Sequence, residues 1–235
     1  MSFVITMYVR EGIVLASDSR LTLNTTTQQG DNQIVQMAVG QSDSNYKTFL
    51  ANRIGISTFG AADVKGEPLG GHIEAFLQEN ILGRNVGVDV VPKMLLDYFA
   101  EFQPAPATQF HVAGYDGTVQ RVWDVNVAAG TVHLLNPIGL PGASWGGEGD
   151  ILQRLILPMA SVNSAGAQES MLPQHHIPWQ FFTMQDAIDF CIFAVRSTID
   201  AIRFQPRAKT VGGPIDVLVI KPNEAVWVQR KELHA

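Results

Sequence analysis

The sequence predicts an α+β fold in which two mainly antiparallel sheets pack face to face with helix pairs outside. Three observations lead there. Short runs of β-branched and aromatic residues come in adjacent pairs separated by turn residues, as hairpins do. Along the chain the order is strands, two helices, strands, two helices, strands, without the strict βα alternation of a parallel sheet. The first two runs, Phe3 to Val9 and Ile13 to Ala16, are almost continuously apolar, as in strands covered on both faces.

The elements follow in order. Arg10-Glu11-Gly12 turns the first run into the second, forming a hairpin. Thr22 to Asn45 is polar around one apolar stretch, Ile34 to Val39, and reads as a loop with a short strand inside. Phe49 to Leu50 and Ile54 to Phe59 flank Ala51-Asn52-Arg53 as a second hairpin. A first helix runs through His72 to Leu77, within a segment from Ala62 to Asn80 whose first half is weakened by Gly66, Pro68 and Gly70-Gly71. Val90 to Phe102 places Val91, Met94, Leu95, Tyr98 and Phe102 at helical spacing, with Asp89 as its expected cap. Phe110 to Ala113 and Gln120 to Val127 join through Tyr115-Asp116-Gly117-Thr118, where Asp-Gly signals a tight hairpin, and Thr131 to Leu135 continues the meander. Asp150 opens a short helix stopped by Pro158, and Ser161 to Gln180 reads as a long loop. Thr183 with Asp186 matches a capping box ahead of a helical stripe from Ala187 to Ile202, stopped near Pro206. Ile215 to Ile220 and Ala225 to Gln229 close the chain as strands. No repeat or linker divides it, so residues 1–235 are expected to form one domain.

Composition narrows the function classes. Of 235 residues 46% are hydrophobic and 16% charged, enough for a substantial core. The net charge of -6, with no basic stripe, argues against nucleic acid as a partner. Cys191 stands alone, so no intrachain disulfide can form. The opening residues lack a signal-peptide pattern and no run is long enough to span a membrane; a cytoplasmic location without membrane association is the expectation. His175-His176 point opposite ways in extended chain, and His72, His111, His133 and His234 share no ligand spacing, so no metal site is predicted. No glycine-rich segment leads into Lys-Ser/Thr, and no cofactor is expected.

SFVITMYVREGIVLASDSR followed by YKTFLANRIGISTFGAAD resembles the start of proteasome β-type subunits and of bacterial proteasome homologues, members of the amino-terminal-nucleophile hydrolases. In that family a mature amino-terminal Thr, or less often Ser, begins the first strand. An Asp-Ser-Arg-like triplet ends the second strand sixteen residues on, the spacing from Ser2 to Asp18, with Arg20 at the family's Arg position. Lys47 stands where the family opens its next hairpin with Lys, and Phe59-Gly60-Ala61-Ala62-Asp63 matches the turn into its first helix. Thr210-Val211-Gly212-Gly213-Pro214-Ile215-Asp216 is similar to its late Gly-Gly turn. Two departures stand out. Asp18 and Lys47 are twenty-nine residues apart, implying an insertion near Asn24 to Ser44. Ala208, Lys209, Thr210 and Val211 also replace the Asp and Ser with which the family supports its nucleophile.

The resemblance implies a four-layer αββα sandwich and threonine-peptidase-like hydrolysis inside a homo-oligomeric ring, with peptide or protein as substrate and an ATP-dependent unfoldase as a partner. Ser2, freed by removal of Met1, would be the nucleophile, and its own α-amine, with a pKa of roughly 8 against about 10.4 for lysine, the base. Lys47 would lower the hydroxyl's pKa and Asp18 would hold the ammonium. The amide of Phe59 or Gly60 would bind the oxyanion, worth about 3 kcal/mol. Ser144 matches a proton-relay serine of the family.

Each residue also has a plainer reading: Ser is a common second residue, Asp-Ser-Arg a common turn, and a lone Lys a common surface charge. Their joint spacing carries the argument. Two other functions fit parts of the chain. Gly142-Ala143-Ser144-Trp145-Gly146 fits the G-x-S-x-G elbow of α/β-hydrolases, with Asp216 and His234 as partners, although the preceding Pro137-Ile138-Gly139-Leu140-Pro141 is loop-like, which makes a tight glycine loop the better reading. A catalytically silent ring subunit is the other.

Overall fold

The computed structural model describes residues 2–29 and 33–232. The first strands are β1 (Phe3–Val9), β2 (Gly12–Ser17), β3 (Leu21–Gln29), β4 (Gln33–Ser42), β5 (Thr48–Ala51) and β6 (Ile54–Gly60). The short pair β7 (Asp63–Val64) and β8 (Glu67–Pro68) leads into helices α1 (Leu69–Asn80) and α2 (Val91–Ala100). There follow β9 (Thr108–Asp116), β10 (Val119–Asn126), β11 (Thr131–Leu134), β12 (Gly142–Gly147), α3 (Asp150–Ile156), β13 (Ala160–Val162) and β14 (Gln168–Met171). The last elements are α4 (Met184–Phe204), β15 (Asp216–Ile220) and β16 (Ala225–Gln229).

Ten of these strands make two antiparallel five-stranded sheets, ordered β12-β1-β2-β15-β16 and β11-β10-β9-β6-β5. Alternation along each strand divides the side chains among three layers of core. Phe3, Ile5, Met7 and Val9 of β1 pack with Val14 and Ala16 of β2 against α3 and α4. The opposite faces contribute Tyr8, Ile13, Leu15 and Leu218, which meet Ala113 and Val122 between the sheets. Phe110 and Val112 point outward from the second sheet to Ile73, Phe76, Leu95 and Phe99 of α1 and α2. The result is an αββα sandwich, and the continuous burial of β1 and β2 follows from their central place in it.

Alternation also sets the site. Since Phe3 faces the helices, Ser2 is turned to the inter-sheet side, at one end of the sandwich. Thr6, on that same face, meets His111 across the gap, Oγ1 to Nδ1 at 3.0 Å.

The structure corrects several expectations. The Thr22 to Asn45 region is largely a two-stranded hairpin, β3 with β4, rather than a loop holding one short strand; residues 30–32 lie outside the described residues. Its strands are rich in Thr and Gln, so the hydrophobic pattern that marks a half-buried strand is weak there. The pentapeptide around Ser144, expected to be a glycine loop, is edge strand β12, paired with β1 from Phe3↔Gly147 to Tyr8↔Gly142. Asp89 does not cap α2: it accepts Trp123 Nε1–H at 3.1 Å and pairs with Arg121, while the helix starts at Val91 without a side-chain cap, with Pro92 in its first turn. Within the expected Ser161 to Gln180 loop lies the exposed hairpin β13-β14. The Thr183–Asp186 capping box is present, each side chain bonding the other's backbone N–H.

Candidate active site

Asp18 follows the last residue of β2, where the chain leaves the sheet, and its carboxylate is wholly buried. Burial without full pairing is costly, and four donors meet this group. Oδ1 accepts Phe3 N–H at 3.0 Å and the Lys47 ammonium at 2.7 Å. Oδ2 accepts Arg20 N–H at 3.1 Å and Gly212 N–H at 3.0 Å. One side chain thereby ties together the start of β1, the exit of β2, the entrance to β5 and the late Gly-Gly turn. Two donors on one oxygen place the Lys47 ammonium against the Ser2–Phe3 peptide.

Lys47 is positioned from both directions. Its carbonyl accepts Thr58 N–H at 2.8 Å, holding the start of β5 against β6. Its ammonium, with the side chain 6% exposed, reaches Asp18. Burial pushes the amine below its ordinary lysine value; Asp18 pulls it back, and Lys231 and Arg20 push it down again.

Ser2 is strapped by its peptide groups. Beyond the Asp18–Phe3 bond, the Ser2 carbonyl accepts Glu148 N–H at 2.8 Å. Gly147 makes this approach possible: it has φ +85°, and a Cβ there would lie 1.8 Å from the Ser2 oxygen. Ser2 and Lys47 line one small pocket of about 30 Å³, with Tyr46, Thr58, Ala61 and Leu69 among its walls. Two larger hollows, of about 660 and 550 Å³, lie at loops elsewhere and contain none of the sequence-predicted site residues. The small pocket is the better candidate because buried opposite charges converge on it.

Of the two amides considered for the oxyanion, orientation separates them. Phe59 C=O accepts Thr108 Oγ1–H at 3.1 Å, toward β9. A trans peptide directs the following N–H the opposite way, so Gly60 N–H points toward the Lys47 side and Phe59 N–H does not. Gly60 has φ +102°, and a Cβ there would lie 2.6 Å from the Ala107 carbonyl oxygen, so only glycine suits the turn.

Arg20 stands at the pocket edge and donates to both oxygens of Asp43, at 2.6 and 2.7 Å. This bidentate pair closes the base of the β3-β4 hairpin, and Arg20 holds the Asp43 carboxyl below its usual range through these hydrogen bonds. Ser144 is not brought to Ser2: it sits opposite Thr6, four residues farther along β1, or about 14 Å. Nor does it sit on a strand-to-helix elbow. Asp216 is engaged by Lys231, and His234 lies outside the described residues. His175 and His176 are exposed, and no cluster of metal-ligating side chains occurs among the described residues.

Gly147, Glu148 and Arg207 escaped the sequence, and so did the part that Thr210 plays. Gly147 and Glu148 fix Ser2 from more than 140 residues away, and Thr210 donates to Glu148 Oε1 at 3.0 Å while Arg207 binds Oε2 at 3.2 Å. Thr210 occupies a place where the expected supporting Asp and Ser are missing, and the carboxylate that meets it comes instead from the β12–α3 turn. The Gly146-Gly147-Glu148-Gly149 run was the one available signal.

No protein-family profile and no curated protein sequence matches this chain.

Proposed function

We propose that the chain is an amino-terminal-nucleophile hydrolase of proteasome β-like type that cleaves peptide or other amide bonds. The observation that carries this reading is the fourfold clamp on Asp18, which holds a buried ammonium against the first peptide group after Ser2. A buried charge pair of this kind adds little net stability over apolar packing, so stability alone is a poor reason for it and a chemical role a better one.

With the residue before it removed, Ser2 supplies both nucleophile and base. Its α-amine takes the hydroxyl proton, directly or through a water, as Oγ attacks the carbonyl carbon. The Lys47 ammonium lowers the hydroxyl's pKa, and Gly60 N–H stabilises the oxyanion. The protonated amine then gives its proton to the leaving nitrogen, leaving an acyl ester on Oγ that water hydrolyses.

Assembly into a homo-oligomeric ring belongs to the same reading. Leu155, Leu157, Met159, Val162, Met171 and Leu172 are exposed on and after α3 and on and after β13-β14, apolar positions that an interface between copies would cover. A cytoplasmic ring would receive unfolded substrate from an ATP-dependent unfoldase. The second reading, a silent ring subunit, draws on the small volume of the pocket. Ser2→Ala and wild-type protein, assayed on fluorogenic peptides and sized in solution, separate the two. Loss of turnover with unchanged assembly supports the hydrolase, and an inert wild type supports the scaffold.

A further inference from the structure

A second buried ion pair lies behind Asp18 and Lys47, and the chemistry above does not use it. Asp216 opens β15, wholly buried and directly across from Ser17. Its Oδ1 accepts Lys231 N–H at 2.8 Å, and Oδ2 accepts the Lys231 ammonium. The Lys231 side chain is 3% exposed. This pair returns the chain after β16 to the central strands. The same ammonium lies over the Tyr46 ring, 4.2 Å from its centroid. The neighbouring Arg230 guanidinium lies 4.9 Å from that centroid and 4.7 Å from the Trp227 ring. Tyr46 precedes Lys47 and walls the Ser2 pocket, so two cations of the carboxyl-terminal segment bear on one wall of the site.

We propose that Lys231 and Asp216 form a positioning pair for the Ser2 site, fixing the Tyr46 wall and holding a second positive charge against Lys47. The inference rests on the reading of Lys47 as the cation beside the nucleophile. The charged groups acting on Lys47 are Asp18 in contact, then Lys231 from beyond β16 and Arg20 from the pocket edge. Those acting on Lys231 are Asp216, Asp18 and Arg230. The neutral hydroxyls of Ser17, Thr48 and Ser57 lie between β2, β5 and β6, joined at 2.9 Å. Lys231 reaches the neighbours of the Asp18–Lys47 pair on both sides: Asp216, which lies across from Ser17, and the Tyr46 ring, next to Lys47. Repulsion between the two ammoniums makes Lys47 release its proton at a lower pH than Asp18 alone would allow, so the pair sets the pH above which Lys47 stops serving as the cation beside Ser2.

The test follows the Lys47 Cε signal by NMR in protein carrying ¹³C-labelled lysine, identified by its loss in Lys47→Met. In Lys231→Gln the amide can still bond Asp216 while the repelling charge is gone. The Lys47 midpoint should rise by about half a pH unit or more, and the basic limb of kcat/KM on a fluorogenic peptide should move with it. An unchanged or lowered midpoint overturns the proposal. If Lys231→Gln does not fold, the charge-free Lys231→Gln/Asp216→Asn protein replaces it, with the same expected direction and the same refutation. The midpoint needs no turnover to be read: an inactive wild type with a raised variant midpoint supports the pair and sinks the hydrolase, and an active wild type with an unmoved midpoint does the reverse.

Discussion

Replacing Asp18 by Asn keeps the side chain's shape and removes its charge. The Lys47 ammonium, in a side chain 6% exposed, is then stranded without its partner, and one acceptor facing two donors becomes a donor itself. Breaking a buried pair from one side costs about 3–5 kcal/mol. For a chain of this size that is a fall of roughly 6–20 °C in Tm. The loss should depend on pH. Burial already lowers the Lys47 pKa, and losing Asp18 lowers it further. The folded variant then gives up its proton at a pH where the unfolded lysine, with its pKa of about 10.4, still holds one. Because the unfolded state binds more protons in that interval, the variant's stability rises with pH through it. Adding Lys47→Met removes the stranded charge, so the double variant should be more stable than Asp18→Asn alone, with a coupling of about 1–3 kcal/mol. Urea unfolding followed by circular dichroism at pH 7 and pH 9.5 measures all of this. Strict additivity of the two substitutions, or an Asp18→Asn protein within 1 kcal/mol of wild type, would refute the reasoning.

Gly147→Ala places a methyl against the Ser2 carbonyl at a position with φ +85°, so it should lose about 1–2 kcal/mol to backbone strain alone and also abolish turnover, read by thermal unfolding and peptide hydrolysis. Burial holds His111 down to about 4, so its neutral ring contributes stability above pH 6.5 that is lost as pH falls toward 4, about 3 kcal/mol in all. Urea titrations between pH 6.5 and 5, above the ordinary carboxylates, should show that slope in wild type and not in His111→Gln. Burial also pushes the Cys191 thiol up, so alkylation by iodoacetamide should be negligible in the native protein and complete in urea; rapid native labelling would contradict the packing of α4.

Much of the fold was legible because its signals are local. Asn52-Arg53 and Asp116-Gly117 mark tight turns between apolar runs, and Thr183 with Asp186 announces α4 three residues ahead. β12 was missed because Gly142-Ala143-Ser144-Trp145-Gly146-Gly147 lacks β-branched residues; it is a strand through its pairing with β1, a tertiary effect. β3-β4 was half seen because its Thr residues carry β propensity while neither Thr nor Gln supplies a hydrophobic face. Asp89 preceded a helix as caps do, but Trp123 and Arg121 engage it from another layer. At the site, Ser2, Asp18 and Lys47 fall within the first fifty residues, in a spacing that could be matched. Glu148, Thr210 and Lys231 reach it from distant loops, where only folding defines the neighbour.

The proposed chemistry needs a freed Ser2 amine and hydroxyl working beside Lys47. Its most direct measurement is peptide mass spectrometry of protein purified from its native cell and treated with a serine- and threonine-reactive electrophile. The expected result is a chain beginning at Ser2, one adduct on that residue, and no adduct in Lys47→Met. A chain with Met1 retained, or an adduct formed elsewhere while Ser2 stays unmodified, would contradict it.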